Sequence, residues 1–213
     1  MKRIIQISKY FFAITLILFV CLSYGQSNKT SLKTTEATWY GIDFTKAKMV
    51  GPGFNNPMAI RDQFFKSWNE LIIKENKKYD LGKFFKKKTV IFNIDSVISR
   101  NSKVDINKLI TYNPGVAELK ETDLKDIIKD YDIKNKEGLG LLLIVESFNN
   151  IDKTGYFYIV FFDLSTKSVL LTKKISGKAK GSGFRNFWAG AIYGALKLCE
   201  SDYPKWEKED MWQ

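Results

Sequence analysis

GLGLLLIVESFNNIDKTGYFYIVFFDLSTKSVLL, residues 138–171, decides the fold. It is an apolar run, a polar turn, a second apolar run, a short turn and a third run. Residues 139–148 are too few and too poor in charge for an ordinary amphipathic helix. Residues 155–164 are so dense in aromatic and β-branched side chains that strand is the comfortable reading. Residues 149–154 and 165–167 carry the turn chemistry between the runs. Runs that are apolar on both faces belong in the middle of a sheet covered on both sides. Leu142, Ile144, Phe157, Ile159, Phe161 and Trp188 are expected to be buried together.

Working toward the amino terminus, residues 89–97 (TVIFNIDSV) read as a strand, and 122–131 as a helix capped by Thr122 with Leu124, Ile127, Ile128 and Tyr131 on one face. Between them, residues 104–111 suggest a short helix stopped by Tyr112-Asn-Pro-Gly115. The helix from Pro57 to about Lys77 is the clearest in the chain. Asn56 stands at its N-cap, Pro57 at its first position, and Ile60, Phe64, Trp68, Leu71 and Ile72 form one apolar stripe. Residues 79–88 are a basic, aromatic connector. Residues 37–44 (ATWYGIDF) are the first strand, with Tyr40, Ile42 and Phe44 on one face and Trp39, Gly41 and Asp43 on the other. Toward the carboxyl terminus a final helix is expected from about Arg185 to Glu200. Gly190 and Gly194 let it sit close to its neighbour.

The order is strand, helix, strand, helix, three strands, helix. Early alternation gives parallel pairing through crossovers, and consecutive strands give an antiparallel meander. The fold class is therefore α/β with mixed α+β character: a single three-layer domain, its mixed sheet of about five strands, with helices on both faces. No internal repeat is present.

The chain has 213 residues, 45% hydrophobic and 27% charged, which fits one globular domain. Its first 25 residues differ in kind. Lys2, Arg3 and Lys9 precede the apolar stretch 10–22, and Ser23-Tyr24-Gly25 places small residues before Gln26. This is the pattern of a secretory signal peptide cleaved before Gln26. The alternative is a retained anchor, although the apolar stretch falls short of a span of about 20 residues. Cys21 raises lipidation, but Val20 stands where a lipobox has a small residue. The expected layout is then signal 1–25, tether 26–36, domain 37–203 and charged tail 204–213.

Net charge is +11, and +8 once the three basic residues of the signal are removed. Such a balance favours an anionic neighbour, or serves solubility alone. Nucleic acid is not expected for an exported protein, nor is a transmembrane span once the signal is gone. Oligomeric state is not legible.

There is no histidine. This removes Ser-His-Asp and Cys-His catalysis and imidazole zinc sites. Cys199 alone remains after the signal, so thiolate clusters go too. No cofactor and no metal are expected. Asp43, Asp95, Glu146 and Asp163 fall in or at the ends of expected strands, and their convergence at one edge would bind Mg²⁺ or share a proton. The other reading is that each meets solvent or starts a turn. The loop 177–183 (GKAKGSG) precedes a helix. Lys178, Lys180, Ser182, Arg185 and Asn186 are the candidate anion- or partner-binding residues there. The alternative is a connector whose glycines turn the helix back onto the sheet. No P-loop spacing is present.

The runs FFDLSTKSVLLTKKISGKAKGSGFRNFWAGAIYGAL, WYGIDFTKAKMVG, FFKSWNELI and KYDLGKFF resemble stretches of small secreted proteins of unknown function from Bacteroidetes-type bacteria. The order of elements is similar to the amino-terminal domain of the Tol-system periplasmic protein TolB and to envelope lipoproteins of curli secretion. That resemblance implies an anticodon-binding-like mixed sheet serving as an interaction module. The expectation is an exported protein, periplasmic or outer-membrane-associated, that acts as a non-enzymatic module on another envelope protein or an anionic surface. A small carboxylate-dependent hydrolase or transferase is the alternative. A carrier of a small apolar ligand, suggested by 16 Phe, 10 Tyr and 5 Trp, is a third.

Overall fold

The computed structural model describes residues 30–133 and 136–209. The expected signal, Cys21, the cleavage before Gln26 and the last four residues lie outside them. In chain order come β1 (Glu36–Asp43) and β2 (Lys48–Val50), then α1, which starts as Pro57–Ala59, widens to a π-turn over Ile60–Phe64 and continues as Phe65–Lys74. Next are α2 (Leu81–Phe84), β3 (Thr89–Phe92), α3 (Asp95–Asn101), β4 (Ile110–Thr111) and α4 (Glu121–Lys129). The chain closes with β5 (Leu139–Asn149), β6 (Thr154–Asp163), β7 (Val169–Lys178) and α5 (Phe184–Glu209).

β5 is the axis of the sheet, because both its faces are apolar and both its edges are paired. One edge takes β6 and then β7 in antiparallel register. The other takes β1 and β2 end to end, both parallel to β5, and beyond them β3 and β4, again parallel. Seven strands thus occupy five positions across a mixed sheet, with helices on both faces. α1, α2 and α5 cover one face with an aromatic core: Phe148 stacks on Trp188 at 4.6 Å and Phe44 on Phe65 at 4.1 Å. α4, with Val97 of α3, covers the other over Leu142, Ile144, Val160 and Phe162.

Strand alternation corrects one expectation here. The six expected core residues are all buried, but Leu142 and Ile144 face α4 whereas Phe157, Ile159, Phe161 and Trp188 face α5. Leu142 pairs with Val160, not Ile159, so the register sends them to opposite sides. Close packing of α5 rests on two glycines. A Cβ at Gly177 would stand 2.1 Å from the Ala191 carbonyl oxygen, and one at Gly190 the same distance from that of Lys180.

Other boundaries move for identifiable reasons. The expected tether is fixed from Leu32 onward: its side chain is buried, and its carbonyl accepts from Lys87 Nζ and Tyr203 Oη. The strand expected over 89–97 stops at Phe92, and Asp95 opens α3. Residues 104–111 give a 3₁₀ turn, Ile106–Lys108, and a strand rather than a helix. Lys120, not Thr122, is the N-cap of α4, with the Asp123 carboxylate accepting the Lys120 amide at 2.8 Å. Pro204 neither ends α5 nor begins a loose tail. Tyr203 and Trp206 are buried on either side of it, and that burial outweighs the helix bond the proline removes.

Candidate functional site

Strict alternation through β1 would place Asp43 beside Trp39 in the aromatic core. Gly41 prevents this. It adopts φ +102°, and the pairing with β5 shifts between Trp39 and Ile42, a bulge that reverses the facing of every later residue. No side chain fits there, since a Cβ would lie 2.4 Å from Asn69 Oδ1 and 2.6 Å from Val97 Cγ1. Two buried asparagines hold the bulge. Asn69 Oδ1 accepts the Ile42 amide at 2.7 Å, and its Nδ2 donates to the Ile42 carbonyl. Asn101 Oδ1 accepts the Phe44 amide at 2.8 Å, and its Nδ2 donates to the same Ile42 carbonyl. Ile42 therefore joins the aromatic core, against the expectation that it shares a face with Tyr40, and Asp43 turns to the opposite side.

There Asp43, fully buried, has a donor for every lone pair. Oδ1 accepts the amide of Thr45 at 2.8 Å and its hydroxyl. Oδ2 accepts the Tyr131 hydroxyl at 2.8 Å and Arg100 Nε at 3.4 Å. The Arg100 guanidinium also lies 4.6 Å over the Tyr131 ring. Burial, and next the adjacent Asp43 charge, push the Tyr131 hydroxyl well above the usual tyrosine range, so it stays a donor.

Arg100 and Thr45 are also part of the wall of a cleft of about 1110 Å³, which opens at the carboxyl ends of β1 and β3 between α3, α4 and the link to β2. Crevices outside the carboxyl ends of parallel strands are where open α/β sheets bind ligands. Asp95, Asp126, Asp130 and Asp132 line it against Arg100 and Lys103, with Asn93, Ser96 and Ser99 between. A second hollow of about 320 Å³ shares Thr45, Lys46, Val104 and Asp105 with it. The Lys46–Asp123 ion pair, 2.6 Å, stands where the two meet.

Of the four carboxylates picked out in the sequence, Asp43 and Asp95 come to this cleft, one below it and one on its wall. Glu146 lies farther along β5, where Lys174 Nζ at 2.8 Å and the Leu119 amide at 3.2 Å hold it. Asp163 stands at the opposite end of β6, paired with Leu139, and its Oδ1 accepts from Ser165 and Thr166 as the first residue of a turn. Asp126, Asp130, Asp132, Arg100 and Lys103 were not singled out by sequence. Asp126 and Asp130, one helical turn apart on the polar side of α4, were the only available hint.

The glycine loop divides its candidates. Lys178 turns to the Asp152 carbonyl and Thr154 Oγ1. Lys180 and Asn186 line a separate hollow of about 410 Å³ with Lys78 and Tyr193. Arg185 donates to Asn186 Oδ1, and Ser182 is exposed. Two further titratable groups are buried. Burial pushes the Cys199 thiol up to about 12, and pushes Lys87 down to about 8 in its cage of the Leu32 and Thr34 carbonyls. Among the described residues no three His, Cys, Asp or Glu side chains are grouped to hold a metal ion. No helix there is long and apolar enough to cross a membrane.

A mixed α/β sheet protein with a polar cleft at its strand ends is the class these features define. No protein-family model matches the chain, and no curated protein is significantly similar to it.

Proposed function

We propose that the chain is an exported, non-enzymatic module of the cell envelope, and that its cleft takes a cationic polar segment of another envelope protein. One observation carries this reading: Asp43, the buried carboxylate under the cleft, has all its acceptor positions filled by Thr45, Tyr131 and Arg100. A general base needs a free lone pair aimed at a substrate, and Asp43 has none to offer. What faces the cleft is a set of aspartates exceeding the cations, on a chain that is basic as a whole. Such a contrast attracts positive charge locally and gives the contact a strong salt dependence.

Tri-lysine is a suitable probe. Isothermal titration is expected to give saturable binding that weakens with added salt and is lost in Asp126→Asn with Asp130→Asn. Absence of saturable binding, or equal binding by that double variant, would overturn the reading.

A further inference from the structure

Three loops leave the far end of the sheet side by side. Val50 pairs with both Thr111 and Asn149, so residues 51–58, 112–117 and 149–153 emerge next to one another. Cross-links fix them. The Gly51 amide donates to the Thr111 carbonyl at 2.9 Å, the Asn150 amide to Val50 at 2.8 Å, and Asn150 Nδ2 to Pro52 at 2.6 Å. Gly51, at φ +90°, has room for no Cβ because the Ile151 side chain would lie 2.8 Å from it. Below, Phe54 is buried against Trp188 at 5.4 Å, so the end rests on the aromatic core.

The composition of this end sets it apart. Its loops read GPGFNNPM, YNPGVA and NNIDK, carrying only Asp152 and Lys153 in a chain that is 27% charged. Yet they, with the first turn of α1 that follows, hold four of the six large apolar side chains that are exposed among the described residues: Met58 at 56%, Tyr112 at 74%, Val116 at 57% and Ile151 at 59%. Charge removed and apolar groups added on one rigid end is the pattern of a surface that leaves water when it works. On its shoulders stand Lys108, 79% exposed, Lys153 and Lys178, against Asp105, Glu118 and Asp152.

From this arrangement we infer that the loop end is a membrane-docking tip that inserts Tyr112 and Ile151 into the interfacial layer of an anionic bilayer. Loops with a tyrosine and few charges enter that layer at lower cost than heavily charged ones, and the two charges here, Asp152 and Lys153, are of opposite sign. The formal net charge of the chain, +11 and +8 without its first 25 residues, decides between partners: anionic headgroups attract such a chain, and a second copy repels it. Tyr112 and Ile151 line neither the cleft nor the hollow beside it, and the inference does not rest on the cleft's proposed role.

The test is co-sedimentation of the chain from Gln26 onward, which lacks the apolar stretch 10–22 that would bind bilayers by itself, with vesicles of phosphatidylcholine alone or with about one third phosphatidylglycerol. Binding should favour the anionic vesicles. Tyr112→Ser with Ile151→Ser should weaken it about tenfold or more, as lost apolar insertion implies. Leu198→Ser, an exposed apolar side chain on α5 (53%), should leave it unchanged. An environment-sensitive dye attached through Tyr112→Cys in the same chain reports the tip directly, because its one other cysteine, Cys199, is buried. Its emission should shift blue on anionic vesicles, and a dye attached through Leu198→Cys should not respond. A dye at position 112 that stays in water, or a double serine variant that binds like the parent, overturns the proposal. So does a solution dimer that the double variant dissociates, which assigns the tip to self-association.

Discussion

One face of the sheet lies under α1 and α5 and is filled with stacked rings; the other lies under α3 and α4, whose helices are short, and holds a buried carboxylate. On the aromatic face polar atoms are handles that point outward from rings: Trp68 Nε1 donates to Arg185 O, Tyr79 Oη to Ala189 O and Tyr203 Oη to Leu32 O. On the second face a bulge, two asparagines, an arginine and a tyrosine are spent on orienting Asp43 and the wall above it. Packing of the first kind is set by shape and ring geometry. The second kind holds particular atoms in place, which is what a binding cleft requires of its floor.

Paired substitutions separate the two faces. Phe148, which touches Phe44, Trp68, Phe157 and Trp188, should cost about 3–5 kcal/mol as Phe148→Ala, the range for large core rings. Asp43→Asn keeps the shape but sets an amide against the Tyr131 and Arg100 donors, and should cost about 1–3 kcal/mol. Denaturant unfolding measures both. Equal losses would mean the polar face is as much a stability core as the aromatic one, and the contrast would fall.

Lys87 is the place where the aromatic face does bury a charge, under the Tyr203 ring at 5.1 Å. Burial lowers its folded value to about 8 from 10.5. Between those values the unfolded chain holds the proton and the folded chain has released it, so the unfolded state binds more protons and stability rises with pH. The contribution is on the order of 2–3 kcal/mol across that window. Cys199 works in the opposite sense above its ordinary value of 9.0, since only the unfolded thiol ionises there. The Lys87 contribution is therefore read as the difference between the parent and Lys87→Met in unfolding from pH 7 to 10.5. Parallel profiles would show that the amine is not confined as its cage implies.

How legible each face was follows from the range of its determinants. Residues 139–171 announce their strands because apolar runs and turns are local signals, and the α1 stripe does the same at helical spacing. The reversal at Gly41 is not local. A glycine in a strand permits a bulge, but only Asn69 and Asn101, from two distant helices, require one. With the bulge unseen, Asp43 was placed correctly as a strand-end carboxylate but on the wrong face. The wall of aspartates at α4 and its carboxyl end was invisible for a related reason: polar residues on and after a helix read as solvent-facing until the neighbouring helix is in place. Leu32 escaped because the bond that Tyr203 makes to its carbonyl joins the two ends of the described chain.

The smallest effect distinguishes two lysines that the sequence offers as a pair. Lys178 and Lys180 flank one alanine in a glycine loop, yet the strand ladder of β7 runs through the first and stops before the second. Lys178 Nζ donates to the Asp152 carbonyl at 3.1 Å and to Thr154 Oγ1 at 2.8 Å, so it ties the β5–β6 turn to the edge strand. Lys180 contributes its backbone, with its amide donating to the Phe187 carbonyl and its own carbonyl lying against Gly190, while its side chain borders the hollow beside Tyr193. Lys178→Glu should then cost about 1 kcal/mol through lost charge-assisted hydrogen bonds and a new repulsion from Asp152. Lys180→Glu should leave unfolding stability within about half a kcal/mol, as for other surface changes. If the loop only returns α5 to the sheet, that difference is the whole consequence of the two substitutions. A cost at Lys180 matching that at Lys178 would instead show its side chain bearing on the packing of α5, and the loop would need to be read as part of the aromatic face.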